Sequence, residues 1–200
     1  MALESCYATA ITHTIPKACF TLWGAITRVF FIKPNAAAPF SGIDVAALKT
    51  DIETEASWTT AIAALDPDNI IGTPEVTGYD FPQVNIKTIT TPYGATIPVD
   101  KEDLVLTIEM IGLSEAEQTA LNTVNFQALD FAFYSDTHSQ LIGQASTLNT
   151  TMPFFSAYSV VLKNREGNSG GEDKNVLEIY CKGDAYDDWA AFDCSFLASK

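Results

Sequence analysis

Positive charge is scarce in this sequence. Its 200 residues hold 11 lysines and arginines against 25 aspartates and glutamates, a formal net charge of −14. Proteins that grip nucleic acid by neutralising phosphates need clustered Lys and Arg, so that mode of binding is excluded, and attachment to anionic membranes is disfavoured for the same reason. Histidine is also scarce, with only His13 and His138, which leaves little room for the commonest general acid–base group. Long apolar runs are missing: none approaches the roughly 18 residues that span a bilayer. The opening residues MALESCYATAITHTIPK carry Glu4 where a secretory signal would carry basic residues, so no such signal is expected. Charged residues make up only 18% and hydrophobic ones 47%, which excludes an acidic disordered chain. A single domain of this size buries about 70% of its extended-chain surface, so no disulfide or metal is required to rescue a small core.

Cysteine is sparing as well. Cys6 and Cys19 form one pair 13 residues apart, and Cys181 and Cys194 another. Zinc sites bring ligands in at close spacing such as C-x₂₋₄-C, and neither pair does so. Reduced, buried thiols are the simpler reading, and no metal or cofactor is expected.

The negative charge is uneven. Residues 1–50 are net +2, residues 51–110 net −9 and residues 111–200 net −7. The N-terminal quarter also holds residues 19–32 (CFTLWGAITRVFFI), rich in β-branched and aromatic side chains, which predicts one long strand ended by Pro34 and Pro39. Residues 44–65 turn to helix formers, with Val45, Leu48, Ile52, Ile62 and Leu65 at three- and four-residue steps, so one or two short amphipathic helices are expected.

Strand texture follows. Residues 83–91 (QVNIKTITT), the turn at Pro92–Ala95 and a return over 96–99 predict a half-buried hairpin arm. Residues 104–111 (LVLTIEMI) alternate as a strand with one face in a core. Ser114, followed three residues later by Glu117, forms a capping box that opens a helix over 115–127. Further strands are expected over 129–134 (LDFAFY), 140–145, 154–163 and 175–182, then a final one over 189–197. Residues 164–174 (NREGNSGGEDK) make a long, Gly-rich, charged connection of the kind that tends to carry function. The chain thus reads as mainly β (α+β), a β-sandwich or barrel with one packed central helix and an N-terminal strand and helix extension. Its parts are residues 1–82, a strand arm with a helical insertion, and 83–200, the β core.

No constellation for catalysis emerges. Nucleotide-cradling G-x-G-x-x-G and G-x-x-x-x-G-K-[ST] motifs are missing, as are H-E-x-x-H and G-x-S-x-G. A thiol–imidazole pair of His13 with Cys6 or Cys19 would lack an orienting third group. The carboxylates Asp184, Asp187, Asp188 and Asp193 lack the spacing of a calcium loop and read as a solvated turn. Trp23, Trp58 and Trp189 suit a sugar platform less economically than core packing. No catalytic residue is assigned, and the chain reads as non-enzymatic.

The strand-to-helix join LVLTIEMIGLSEAEQTALNTV, the strand LDFAFY, the Pro92–Ala95 hairpin and the late NREGNSGGEDK connection together resemble the tail tube (major tail) proteins of tailed bacteriophages and related injection machines. The likeness covers residues 80–200 and lies in the order of elements. It implies hexameric rings that stack into a tube, other tail or neck proteins as partners, no membrane, and a place in the virion tail after assembly in the host cytoplasm. It also implies subunit contacts through the N-terminal arm and late hairpin: Trp23, Arg28, Phe30, Asn164, Arg165, Glu166, Gly170, Gly171, Asp173 and Lys174. Acidic residues such as Glu109, Asp184, Asp187 and Asp188 would then line a lumen that DNA traverses without specific binding. The competing expectation is a carbohydrate- or protein-binding β-sandwich, adhesin- or lectin-like, acting as a monomer or small oligomer.

Overall fold

A computed structural model describes residues 25–34, 36, 40, 45–66, 68–80, 85–144, 154–165, 174–183 and 189–199. In chain order these form β1 (Ile26–Ile32), α1 (Val45–Ile52), α2 (Glu55–Ala63), β2 (Ile71–Gly72), β3 (Gly78–Asp80), β4 (Ile86–Thr90), β5 (Thr96–Lys101), β6 (Leu104–Ile111), α3 (Glu115–Asn122), β7 (Gln127–Ser135), β8 (Gln140–Gln144), β9 (Phe155–Arg165), β10 (Lys174–Cys181), β11 (Trp189–Asp193) and a 3₁₀ turn at Ser195–Ser199.

β7 organises the main sheet. Along one edge it pairs with β1, Phe31 opposite Phe131 and Val29 opposite Phe133. Its other edge is shared: β9 takes Gln127 to Phe131, and β8 takes Phe133 to Ser135. The sheet therefore forks, running on through β9, β10, β6 and β3 in one direction and through β8 to β11 in the other, with every pairing antiparallel. Residues 71–80 link β1 to β6. Ile71 and Gly72 pair with Phe31 and Phe30, Thr73 N and Val76 N donate to Val29 O and Thr27 O (both 2.8 Å), and Gly78 lies opposite Glu109 on β6. The mainly-β class is as expected, but among the described residues no strand ladder closes a barrel.

Two cores lie on opposite sides of the β1–β7 wall. The first gathers Val29, Phe31, Leu106, Ile108, Phe131, Phe133, Phe155 and Ile179, with Leu121 of α3 and Val124 from the turn after it. The second packs Phe30, Ile32, Tyr134 and Leu141 beneath Leu48, Ile52 and Trp58 of the two N-terminal helices. Burial on both faces explains why 26–32 and 129–134 read as nearly unbroken apolar runs. Trp58 is fully buried; its ring meets Phe30 and Phe40 at 5.1 Å and its Nε1 donates to Ile52 O at 2.8 Å.

Several expected boundaries move. The helix predicted over 115–127 ends at Asn122, because Phe126 adopts φ 58° and its N–H donates to Val160 O at 2.7 Å, which draws the chain into the sheet. The final strand stops at Asp193 and gives way to the 3₁₀ turn, whose Leu197 enters the second core. The 19–32 strand is described from Ile26; its earlier part lies outside the described residues. The arm expected to be half-buried is exposed along both strands, apart from the partly covered Lys101 at its base.

Candidate assembly surfaces

The arm, residues 86–101, pairs β4 with β5 and, among the described residues, with no other strand. Ile89 stands opposite Ile97, and a bulge at Val99 shifts the register between Lys87 and Thr88. At the tip Thr91 N donates to Ala95 O (2.8 Å), Gly94 N to Thr91 O (2.9 Å), and Gly94 takes φ 79°, a value that favours glycine. Tyr93 is 98% exposed, Ile86 62%, Val99 55%, Ile89 54% and Ile97 47%. A two-stranded ribbon is marginally stable alone in water, and its unpaired edges invite pairing with another chain. The arm thus concentrates exposed apolar side chains of the kind that mark interaction sites.

The outer face of β6, β9 and β10 forms a second surface. Tyr158 and Tyr180 approach at 6.2 Å between ring centroids. Tyr180 Oη donates to Glu178 at 2.6 Å, which holds the phenol pKa above its ordinary value, and Lys163 pairs with the same carboxylate at 2.5 Å. Burial first, and then the nearby Asp103 charge, raise the Tyr158 pKa as well. On the same face Lys174 pairs with Glu109 at 2.5 Å.

Two clefts open elsewhere. One, about 430 Å³, is bounded by Asp130, Gln144, Ser156, Tyr158 and Lys182; Ser156 Oγ donates to Asp130 Oδ1 at 2.7 Å, while burial pushes the Asp130 carboxyl up. The other, about 280 Å³, is bounded by Arg28, Thr73, Glu75, Glu117 and Leu121. The thiols of Cys181 and Cys194 are buried and face Leu104 O and Ile52 O, and desolvation drives the Cys194 thiol pKa strongly upward. The described histidine, His138, sits exposed in the β7–β8 turn. Among the described residues no three His, Cys, Asp or Glu side chains cluster as metal ligands, and no helix is long and apolar enough to cross a membrane.

The residues singled out from sequence are scattered. Arg28 Nη2 donates to Ala198 O at 3.4 Å beside the smaller cleft. Phe30 is enclosed in the second core and packs within its own chain. Asn164 and Arg165 close β9, opposite Asn175 and Lys174. The structure joins Lys174, expected at a subunit contact, to Glu109, expected in a lumen, as an ion pair. Trp23, Glu166, Gly170, Gly171, Asp173, Asp184, Asp187 and Asp188, like Cys6, Cys19 and His13, lie outside the described residues. Sequence reading underrated Ile86, Ile89, Tyr93, Ile97 and Val99. One signal was available: residues 85–101 contain no Leu, Met, Phe or Trp, the large side chains a buried face would need.

No protein-family model and no curated protein matches the chain. Among solved structures it is similar to the cryo-EM structure of the anti-feeding prophage cap, the tube terminating cap, at 9% identity and a TM-score of 0.33, over 62% of this chain and 82% of that one. A likeness of that extent decides neither the fold nor the activity of this chain.

Proposed function

We propose that this chain is a non-enzymatic structural subunit of a phage tail or a related injection machine, assembling with copies of itself into rings of a tube or of a tail or neck assembly. The observation that carries this reading is the arm 86–101, whose isoleucines, valine and tyrosine stand exposed on a ribbon that pairs with no other strand among the described residues. A partner's sheet edge would satisfy its open backbone groups while its apolar faces leave water. The order of elements read from the sequence over residues 80–200 resembles that of tail tube proteins, and the acidity suits a wall past which DNA slides. On this reading the rings are hexameric, the neighbours are other tail or neck proteins, and the protein resides in the virion.

Light scattering on size-fractionated protein, followed by negative-stain imaging, tests the proposal. The unmodified chain should give rings or tubes. The double substitution Ile89→Thr with Ile97→Thr keeps β-branched residues in the arm and should leave chain stability within about 0.5 kcal/mol, as for exposed sites, yet shift the population to small particles. An unmodified chain that stays monomeric at every concentration overturns the proposal and favours a β-sandwich binding module.

A further inference from the structure

Among the described residues the arm has no neighbouring strand to fix its direction, which turns attention to its root. There Glu102 N donates to Asn85 O at 2.9 Å, which closes the ribbon. Immediately beyond, Cys181 at the end of β10 pairs with Leu104 at the start of β6, and the chain continues through Lys182 to a buried Gly183 lying against Lys101 and Glu102. A methyl group added at Gly183 would overlap Glu102 O and stand 2.5 Å from Lys101 Cβ and 3.1 Å from the Lys101 carbonyl carbon. Two of these three atoms are backbone, so rotating a side chain cannot relieve the overlap.

We propose that Gly183 is the positioning residue of the arm: its missing side chain lets β10's extension seat against the arm's root and set the angle at which residues 86–101 leave the sheet. This rests on the reading of the arm as the assembly element. The lever is long. Carbon atoms rest at about 3.5–4.0 Å, so an added Cβ displaces the root by about 1 Å. Across a ribbon about 4.8 Å wide and about 20 Å long, that displacement swings the tip by about 4 Å. A shift of this size would take the Ile89 and Ile97 pair off a complementary surface while leaving both cores untouched.

The test measures the arm's aim directly. In a chain with Cys6→Ser and Cys19→Ser, spin labels are placed at Tyr93→Cys, on the tip, and Thr137→Cys, in the exposed β7–β8 turn. Their separation is measured by pulsed electron paramagnetic resonance, diluted in unlabelled chain, with and without Gly183→Ala. A shift of about 4 Å is expected, together with a loss of rings; an unchanged separation overturns the proposal. If tip and root move but the unmodified chain never forms rings, the assembly reading fails and the positioning role stands. A second measurement guards against misfolding. Residues 85–102 are replaced by Asn-Gly, a two-residue turn that removes the arm together with Lys101 and Glu102. Gly183→Ala should lower the denaturation midpoint of the full chain and leave that of the shortened chain unchanged. An equal loss in both chains overturns the proposal.

Discussion

Asp130 shows how a side chain in this protein acts against its surroundings. It belongs to β7, opposite Ile32 on one side and Ser156 on the other, and burial outweighs the Ser156 hydrogen bond, so its carboxyl keeps its proton to a higher pH than an ordinary aspartate at 3.8. The folded chain therefore holds this proton more tightly than the unfolded chain. The resulting stability is full below 3.8 and declines as pH rises through the folded value. Asp130→Asn keeps an oxygen to accept from Ser156 and removes the titration. Urea unfolding should show the variant gaining on the parent as pH rises from about 3 to about 7, and a difference that is flat with pH would assign the strain to packing instead. Phe126 is the opposite case. Its left-handed φ is uncommon for a bulky residue, and it is held by hydrogen bonds on both sides: its own N–H to Val160 O, and Leu162 N to Asn125 Oδ1 at 2.9 Å.

At the scale of elements, α3 was the most legible. Its start is written in Ser114 and Glu117: Ser114 Oγ accepts from Glu117 N at 3.3 Å, and Glu117 Oε2 accepts from Ser114 N at 2.8 Å. The Ser114 hydroxyl, which donates to Glu117 Oε2 at 2.6 Å, and after it the Ser114 N–H lower the Glu117 pKa, so the contribution of this charge is present above the ordinary carboxylate range and is lost as pH falls through the folded value. Ser114→Ala leaves a helix-end donor unpaired and should cost about 1 kcal/mol, read as a lower midpoint in chemical denaturation. Its end was not legible, because Val160, which stops it, lies 34 residues beyond Phe126. Strands 104–111 and 129–134 announced themselves by the alternation of their large apolar groups. The arm did not: a free-standing ribbon and a half-buried hairpin share the same period of two, and only the lack of large side chains separates them. Likewise no local pattern could have paired Lys174 with Glu109, whose meeting depends on the β10–β6 register, or marked Gly183, whose role depends on a backbone approaching from 81 residues earlier.

For the whole molecule, charge opposes what the arm promotes. Each copy carries −14, and bringing copies into a ring concentrates like charge, while the arm offers apolar surface that gains from burial whatever the salt. Among the described residues Lys33 pairs with Asp66, Lys49 with Glu53, Lys163 with Glu178 and Lys174 with Glu109, and with 25 acidic side chains to 11 basic ones carboxylates outnumber cations more than two to one. Repulsion between copies reaches across about 30 Å at 0.01 M salt and about 8 Å at 0.15 M. Assembly driven by the arm should therefore strengthen as salt rises: light scattering at fixed protein concentration should show the assembled fraction climbing from low salt to about 0.5 M, most steeply below 0.15 M. The Ile89→Thr and Ile97→Thr chain should stay small across the same range, because screening removes the repulsion and leaves nothing to attract. An assembled fraction that falls with salt would mean that ion pairs between copies hold them together, and the apolar arm would lose its place as the element that joins them.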